Sequence, residues 1–383
     1  MTLVWLTGKA RRIRRATSLV VSLVTYHPAG LQRITCRAPV APTPGTDATM
    51  HWRANRANVA HSEDGKTMSD EDNEDARDLV IAILNWNGYP LTRACVESVA
   101  RLSGPAHLVL VVDNASREPE AERLAAEFPD VQALSLPRNM GVGGGYNAAI
   151  RWARSRGAKH VLLLNNDTIL DDPLMARRLV DACGPDVFAV GPLIKDPTGK
   201  VWSSGGTYDW KNYLSGHEQA AGIVSKTAPY PVEWLDGSCM LVSVEAAYKV
   251  QGFDEVFFLY WEETDVCFRA RRLGFKCLLE PRASIVHLVG GTAKPSQVDY
   301  YMLRNSMLFM RRNGTMGQNI GLLRRLFWWR MPLFTARRIK HGGGIRKSVA
   351  MTVGSVLWNV RDAVRKRGWT YKPGGSLVAD ADE

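Results

Sequence analysis

Residues 160–168 read HVLLLNNDT, an apolar run that ends in two amides and a carboxylate, Asn165, Asn166 and Asp167. Such a run predicts a strand buried on both faces whose C-terminal end opens into a polar crevice. In open α/β sheets ligands bind at that edge. One carboxylate flanked by neutral amides is a hard oxygen ligand suited to Mg²⁺ or Mn²⁺, provided that phosphate oxygens complete the shell. A second acidic cluster, Glu262, Glu263 and Asp265, follows the aromatic run Phe257-Phe258-Leu259-Tyr260-Trp261. Val266, Ala270 and Leu273 fall at i, i+4 and i+7 and Gly274 stops the helix, so the acids occupy its first turn. A carboxylate partly desolvated by Tyr260 and Trp261 and kept ionised by the helix dipole suits a general base, although acids that merely complement the dipole have the same signature. His287, in IVHLVGGT, could supply a neutral imidazole as a second metal ligand beside Asp167, or serve as a structural hydrogen-bonder. Trp234, just before Asp236 and Gly237, could stack on a sugar face or fill a core.

The elements that must position these groups alternate. Strands are predicted at Leu79–Asn85, His107–Asp113, Val131–Leu136 and His160–Leu164, with helices at Leu91–Leu102, Pro119–Phe128, Gly144–Arg156 and Pro173–Cys183. Alternation of this kind implies βαβ units and a mostly parallel sheet. Beyond Val187 the texture is less regular and predicts added antiparallel strands, at Val187–Ile194, within Val201–Gly216, and at Ser238–Val244 and Phe275–Leu279. The polar clusters Asn85-Trp86-Asn87, Asp113-Asn114-Ala115-Ser116 and Asn165-Asn166-Asp167 all end parallel strands, so they converge on one nucleotide-sized crevice. Singly, each also fits ordinary turn and N-cap chemistry. Between them, PRNMGVGGGYN (137–147) is a glycine-rich loop entering a helix, where close backbone approach and free N–H groups could meet an anion or a sugar hydroxyl. It imitates a dinucleotide fingerprint, but it follows the third strand rather than the first and lacks the G-x-G-x-x-G spacing.

The 383 residues carry a formal charge of +11 and 45% hydrophobic residues, enough for a sizeable core. Basic residues recur from Arg311 to Lys372 with Asp362 as the only acid, interleaved with Leu322, Leu323, Phe327, Trp328, Trp329, Met331, Leu333 and Phe334. This basic, aromatic, amphipathic tail either lies on an anionic bilayer surface or packs on the core. No nucleic-acid motif accompanies the charge, so nucleic acid is not expected as a partner. Six dispersed cysteines without a C-x-x-C pair suit reduced thiols in a cytosolic protein and argue against zinc. No run reaches the roughly 18 apolar residues of a transmembrane helix, and no export signal is expected. Residues 1–77 predict a disordered or mis-assigned extension, with Met50 or Met68 as alternative starts; 78–313 would form the folded domain and 314–383 a helical tail.

Seven motifs in order, VIAILNWNG, LVVDNAS, PRNMGVGGGYNAAI, LLLNNDT, WLDGSCMLV, FDEVFFLYWEETDVCFRARRLGF and IVHLVGGT, together resemble the inverting family 2 glycosyltransferases, especially the bacterial rhamnosyltransferase-like branch. The resemblance covers roughly Leu79 to Asn313. It implies a GT-A (nucleotide-diphospho-sugar transferase) α/β fold with a mostly parallel central sheet, a small antiparallel part and a helical C-terminal tail. It implies that Asn85 and Asp113 contact base and ribose, that Asn139 and Gly141 shape the donor pocket, and that Asn165, Asn166 and Asp167 stand at the family's D-x-D position. Asp167 with His287 would hold Mg²⁺ or Mn²⁺, Glu263 or Glu262 would be the base, and Trp234, Asp236 and Trp261 would lie on the acceptor side. Two departures stand out: Asn-Asn-Asp offers one carboxylate, and Glu262-Glu263 replaces the usual Glu-Asp. The implied donor is a nucleotide-diphosphate sugar, dTDP-rhamnose first, with UDP-hexose or UDP-galactofuranose as alternatives. The acceptor would be a saccharide or lipid-linked saccharide in cell-envelope glycan synthesis, and the location cytoplasmic, at the inner membrane face. The competing classes are a nucleotide-cofactor oxidoreductase built on the glycine loop and a non-catalytic membrane-surface scaffold.

Overall fold

The computed structural model describes residues 20–27, 30–37, 78–217, 226–288, 295–326, 328, 345–365 and 377. Met1–Ser69 and Asp70–Glu383 form separate units. In the first, β1 (Val20–His27) and β2 (Gly30–Arg37) pair as an antiparallel hairpin, a regular element within the stretch expected to be disordered.

In the second unit the expected alternation is present: β3 (Leu79–Asn85), α1 (Tyr89–Val99), β4 (His107–Asp113), α2 (Glu120–Glu127), β5 (Val131–Ser135), α3 (Gly141–Ser155) and β6 (His160–Asn165). β3 runs parallel between β4 and β6, with β5 parallel to β4 beyond. β3 is apolar up to its last residue and buried throughout because it is covered on both faces. Its period-2 pattern sends Val80, Ala82 and Leu84 into one core with Tyr146, Ala149 and Ile150 of α3. Leu79, Ile81 and Ile83 enter the opposite core with Cys95, Val96, Ala121 and Leu124 of α1 and α2. The register pairs Asn85 with Asp113 and Leu84 with Asn165, so the three polar strand ends share one edge.

The later strands widen this sheet. They are β7 (Thr168–Ile169), β8 (Val187–Lys195), β9 (Val201–Ser203), β12 (Tyr230–Pro231), β13 (Cys239–Ser243) and β14 (Lys276–His287), with β10 (Gly206–Asp209) and β11 (Leu214–His217) forming a separate antiparallel pair. The order β12-β14-β8-β13-β6-β3-β4-β5 places β13 antiparallel to both β6 and β8, while β14 runs parallel to β8. The remaining helices are α4 (Met175–Asp181), α5 (Val244–Lys249), α6 (Glu262–Arg272), α7 (Pro295–Asn313), α8 (Met316–Arg325) and α9 (Ile345–Arg365).

Arg311 and Arg312, at the head of the basic stretch expected either to lie on a bilayer surface or to pack on the core, are buried. Arg311 reaches Asn359 at 3.2 Å and Asp362 at 3.1 Å on α9, and Arg312 pairs with Asp254 at 2.6 Å and with Asp265. Burying a guanidinium requires such carboxylate partners, and these pairs knit α7 to α9 and to the first turn of α6. Among the described residues no helix is long and apolar enough to cross a membrane. Phe327, Trp329, Met331, Leu333 and Phe334 lie outside the described residues.

Candidate functional site

β6 ends at Asn165, and two residues later β7 pairs antiparallel with the end of β14, setting Thr168 opposite His287. This pairing brings the imidazole to the carboxylate predicted as its partner: His287 Nε2 lies 3.1 Å from Asp167 Oδ1, and both side chains are largely buried. Burial opposes the charged imidazole, but the hydrogen bond to Asp167 and its charge outweigh it and raise the His287 pKa above the usual value. The other ring nitrogen, Nδ1, is buried without a hydrogen-bond partner among the described residues.

Glu262 and Glu263 open α6, as predicted, but how they are held is unusual. Phe258, Tyr260 and Trp261 have φ of +65°, +66° and +76°, left-handed conformations that cost about 1–2 kcal/mol each for residues with a Cβ. The turn persists because α7 holds it from behind. Asn305 Nδ2 donates to the carbonyls of Phe257, Leu259 and Tyr260 at 2.8, 2.9 and 2.8 Å, and Arg304 donates to that of Phe257 at 2.7 Å. Neither residue was singled out from the sequence, where an amide inside an amphipathic helix gives no signal.

The expectation of carboxylates kept ionised by the dipole is reversed. Burial pushes Glu262 up to about 7, while burial followed by the adjacent Glu262 charge raises Glu263 well above the usual range. Desolvation of a buried anion outweighs the fraction of a charge at a helix end. The third acid, Asp265, is committed to structure: Arg269 Nε reaches it at 2.8 Å, and Arg312 also pairs with it. Neither of the other two acids is so committed: Glu262 Oε2 is buried without a hydrogen-bond partner among the described residues, and half-buried Glu263 lies against Gly237.

On the donor side, Asn85 is drawn into a turn network. Its Oδ1 accepts from Thr92 Oγ1 at 2.6 Å, and its Nδ2 donates to Glu120 Oε2 at 2.9 Å. Asn166 joins this network through Thr92 at 3.0 Å, so these two amides shape the crevice wall. Asp113 accepts the Ser116 N–H at 2.9 Å, and Asn165 Oδ1 lies 2.9 Å from the Tyr146 hydroxyl.

The helix entered by the glycine loop starts at Gly141, earlier than predicted, and its first N–H groups are not free. Those of Met140, Gly141 and Val142 go to Asn114 Oδ1, Asn139 Oδ1 and the Phe258 carbonyl at 2.8, 2.8 and 2.7 Å. The anticipated anion-binding helix end is thus occupied by the protein itself. Gly141, at φ +72°, is required because a Cβ there would stand 2.2 Å from the Phe258 oxygen, and Gly145 lets α3 lie flat on Leu84. These glycines serve close packing, which removes the basis of the dinucleotide-cofactor alternative.

On the acceptor side, Trp234 and Trp261 are both buried. Trp234 packs against Gly206 with Nε1 on the Thr207 carbonyl at 3.3 Å, and Trp261 packs against Tyr208 and Phe309. Of the two readings of Trp234, a sugar platform or a core residue, its burial fits the core. Asp236 Oδ1 accepts the Ser238 N–H at 2.9 Å.

The parts converge. Burial and then the charges of Glu262, Glu263 and Asp167 raise the Tyr260 pKa, while burial together with Glu262, Asp167 and Asp236 among its neighbouring charges raises that of Tyr146. The two phenols thus stand in the field of both acid clusters. The Tyr146 hydroxyl, 2.8 Å from the Gly237 carbonyl, links the end of β6 to the segment beside Glu263.

Residues 80–223 match the glycosyl transferase family 2 profile. An N-acetylglucosaminyl-diphospho-decaprenol L-rhamnosyltransferase of Mycobacterium tuberculosis is 27% identical over 254 residues, 59% of this chain and 78% of the relative. A low-salt glycan biosynthesis hexosyltransferase of Haloferax volcanii is 26% identical over 196 residues, 51% of this chain and 62% of the relative. Among solved structures, GalNAc-T7 with UDP, GalNAc and Mn²⁺ shares the fold at a TM-score of 0.50 and 16% identity, over 62% of this chain and 48% of that one. The GT-A architecture and the matched segment agree: residues 80–223 carry a glycosyl transferase family 2 domain, and the chain is similar to the rhamnosyltransferase of Mycobacterium tuberculosis.

Proposed function

We propose that the protein transfers a sugar, L-rhamnose from dTDP-rhamnose as the first choice, to a hydroxyl of a saccharide or lipid-linked saccharide in cell-envelope glycan synthesis, inverting the anomeric carbon. The observation that carries this is the pairing of two acid clusters around one strand edge: Asp167 with His287, and Glu262 with Glu263, with Tyr146 and Tyr260 in the field of both. The activity in the Mycobacterium tuberculosis relative's name supports rhamnose and a lipid-linked acceptor, and the Haloferax volcanii hexosyltransferase keeps UDP-hexoses as the second donor class.

The residues fit a divalent cation of the Mg²⁺ or Mn²⁺ type. Asp167 supplies a hard oxygen, His287 a nitrogen whose ring is fixed by the strand pairing, and both already share one contact. Among the described residues no cluster of three or more His, Cys, Asp or Glu side chains could hold a metal, so the substrate diphosphate would complete the shell. A cation held there offsets the charge of the departing nucleotide diphosphate. Glu263 takes the proton from the acceptor hydroxyl, which attacks the anomeric carbon on the face opposite the leaving group. Buried Glu262 raises the basicity of Glu263 by its charge, and Tyr146 fixes Asn165 and the Gly237 backbone between the two halves. A panel of nucleotide sugars tested by thermal shift with and without Mn²⁺ checks this reading. A ligand at one hundred times its Kd stabilises by about 2.7 kcal/mol, a shift of several degrees. The expected order is dTDP-rhamnose above UDP-hexoses, in Mn²⁺ only; no shift with any of them would sink the proposal.

The proposal also places the protein on the cytoplasmic face of an anionic membrane, and α9 supports this. Its buried positions include Thr352, Ser355, Asn359 and Ala363, while Val349, Val353, Leu357, Val360 and Val364 are exposed. At about 100° per residue the exposed five form one stripe, so the helix is polar inward and apolar outward, the reverse of a helix facing water. Exposed Arg346, Arg361 and Arg365 supply the matching cationic charge. Placing aspartates at Val353 and Leu357 together should lower co-sedimentation with phosphatidylglycerol vesicles about tenfold or more, since each large apolar side chain contributes about 1.5–3 kcal/mol when buried. Wild-type sedimentation of that double variant would move the membrane contact off α9.

A further inference from the structure

With Trp234 and Trp261 buried, an aromatic surface for an acceptor sugar must come from elsewhere. Trp202, on β9, is 41% exposed. Its ring lies 5.8 Å from that of His217 at the end of β11, and the other side of His217 rests on buried Trp234 at 5.0 Å. His217 Nδ1 meets Ser203 Oγ at 2.8 Å, which fixes the ring, and stands 3.8 Å from Asp236 Oδ2. That separation is too long for a direct hydrogen bond, so Nδ1 stays with Ser203 and Asp236 Oδ2 lies beside the ring without bonding to it.

The cluster adjoins the site. β9 pairs with the end of β8, which lies beside β14 at Ile285 and Val286, immediately before His287. Two strand spacings amount to about 10 Å. On its other side, Asp236 precedes Gly237, whose Cα faces the Glu263 side chain. An exposed indole, an imidazole and a carboxylate at the rim of a crevice are the groups that hold a pyranose: an apolar face for the ring, and hydrogen-bond partners for its hydroxyls.

We propose that Trp202, His217 and Asp236 form the acceptor subsite, with a sugar ring lying on the Trp202 indole, which packs against the fixed His217 ring, and a hydroxyl of the sugar donating to Asp236, so that a neighbouring hydroxyl reaches Glu263. This rests on the glycosyltransferase reading above and adds the acceptor class, a saccharide presented as a pyranose ring. The test is saturation-transfer NMR of the methyl glycoside of N-acetylglucosamine with the full chain and no donor present. This separates it from the donor screen: a silent panel of nucleotide sugars refutes the reaction, whereas a silent saccharide refutes the subsite. The wild type should transfer saturation to the ring protons. Trp202→Ala should weaken binding about tenfold or more, as expected for the loss of a ring contact and its buried area, while Trp202→Phe should keep most of it. Because Trp202 is exposed, the alanine variant should melt at the wild-type temperature. No saturation in the wild type, or equal saturation in Trp202→Ala, overturns the subsite.

Discussion

Glu263→Gln is expected to lower turnover about 10²- to 10⁴-fold, the range spanned by a positioned general base, while leaving donor affinity near that of the wild type. Glu262→Gln should cost less, because Glu262 is buried toward α3 near Gly143, whereas Glu263 lies against Gly237. The pH dependence follows from the direction of the shifts. Burial holds both carboxyls protonated above the ordinary glutamate range, and a base works only when ionised, so kcat/KM should climb with pH through about 7 and beyond. The stability consequence has the opposite sign. A carboxyl whose folded pKa is raised binds more protons folded than unfolded, so its stabilising contribution is complete below the unfolded value and is lost as pH rises through the folded one. Glu263→Gln removes that penalty and should melt higher than the wild type at pH 8 while turning over more slowly. Steady-state kinetics and melting curves across pH 5–9 check both halves. Near-normal turnover in Glu263→Gln would transfer the role to Glu262, and equal melting at pH 8 would mean that neither carboxyl is desolvated as described.

Asp167→Ala should abolish the metal dependence of donor binding. Loss of a residue that merely supports a metal ligand costs roughly 10- to 100-fold in affinity, and Asp167 is the only carboxylate in its cluster, so at least that loss is expected. Calorimetric titration of the donor with and without Mn²⁺ should show the wild-type affinity falling when Mn²⁺ is withheld, and the variant at the same low value in both. His287 offers an independent readout. With the carboxylate gone, burial is opposed only by the smaller influence of the Asp236 charge, and the imidazole pKa should fall from its raised value. A variant that keeps the wild-type response to Mn²⁺ would remove Asp167 from the site.

Much of this arrangement was legible because it is local. The buried strands ending in polar residues at Asn85, Asp113 and Asn165 announced both the sheet and its functional edge, since βαβ connectivity forces their ends to the same side. The first turn of α6 was legible from its i, i+4, i+7 stripe. What escaped depends on side chains distant in sequence. The meeting of His287 with Asp167 was expected, but the register that brings it about across 120 residues, β14 continuing past a shift between Glu280 and Ser284 to pair with β7, was not. Arg311 and Arg312 looked like surface charge because their partners, Asp254, Asp265 and Asp362, lie on other elements. Trp234 could be read as a sugar platform or as a core residue, because a sequence does not show that Gly206 leaves space for its ring.

The clamp of Asn305 on the left-handed turn reaches beyond local geometry. The segment that matches the family, residues 80–223, contains Asp167 and the strand ends, but not Glu262, Glu263, His287 or Asn305. On the proposed mechanism, most of the donor-side residues would lie inside that segment, with His287 outside it, and the proton-accepting glutamates would hang from a helix outside it. Divergence among relatives in helix α7 would then retune how the acceptor is activated without disturbing how the donor is recognised. New acceptors could arise by changing the scaffold behind the proposed base while the segment that matches the family stays as it is.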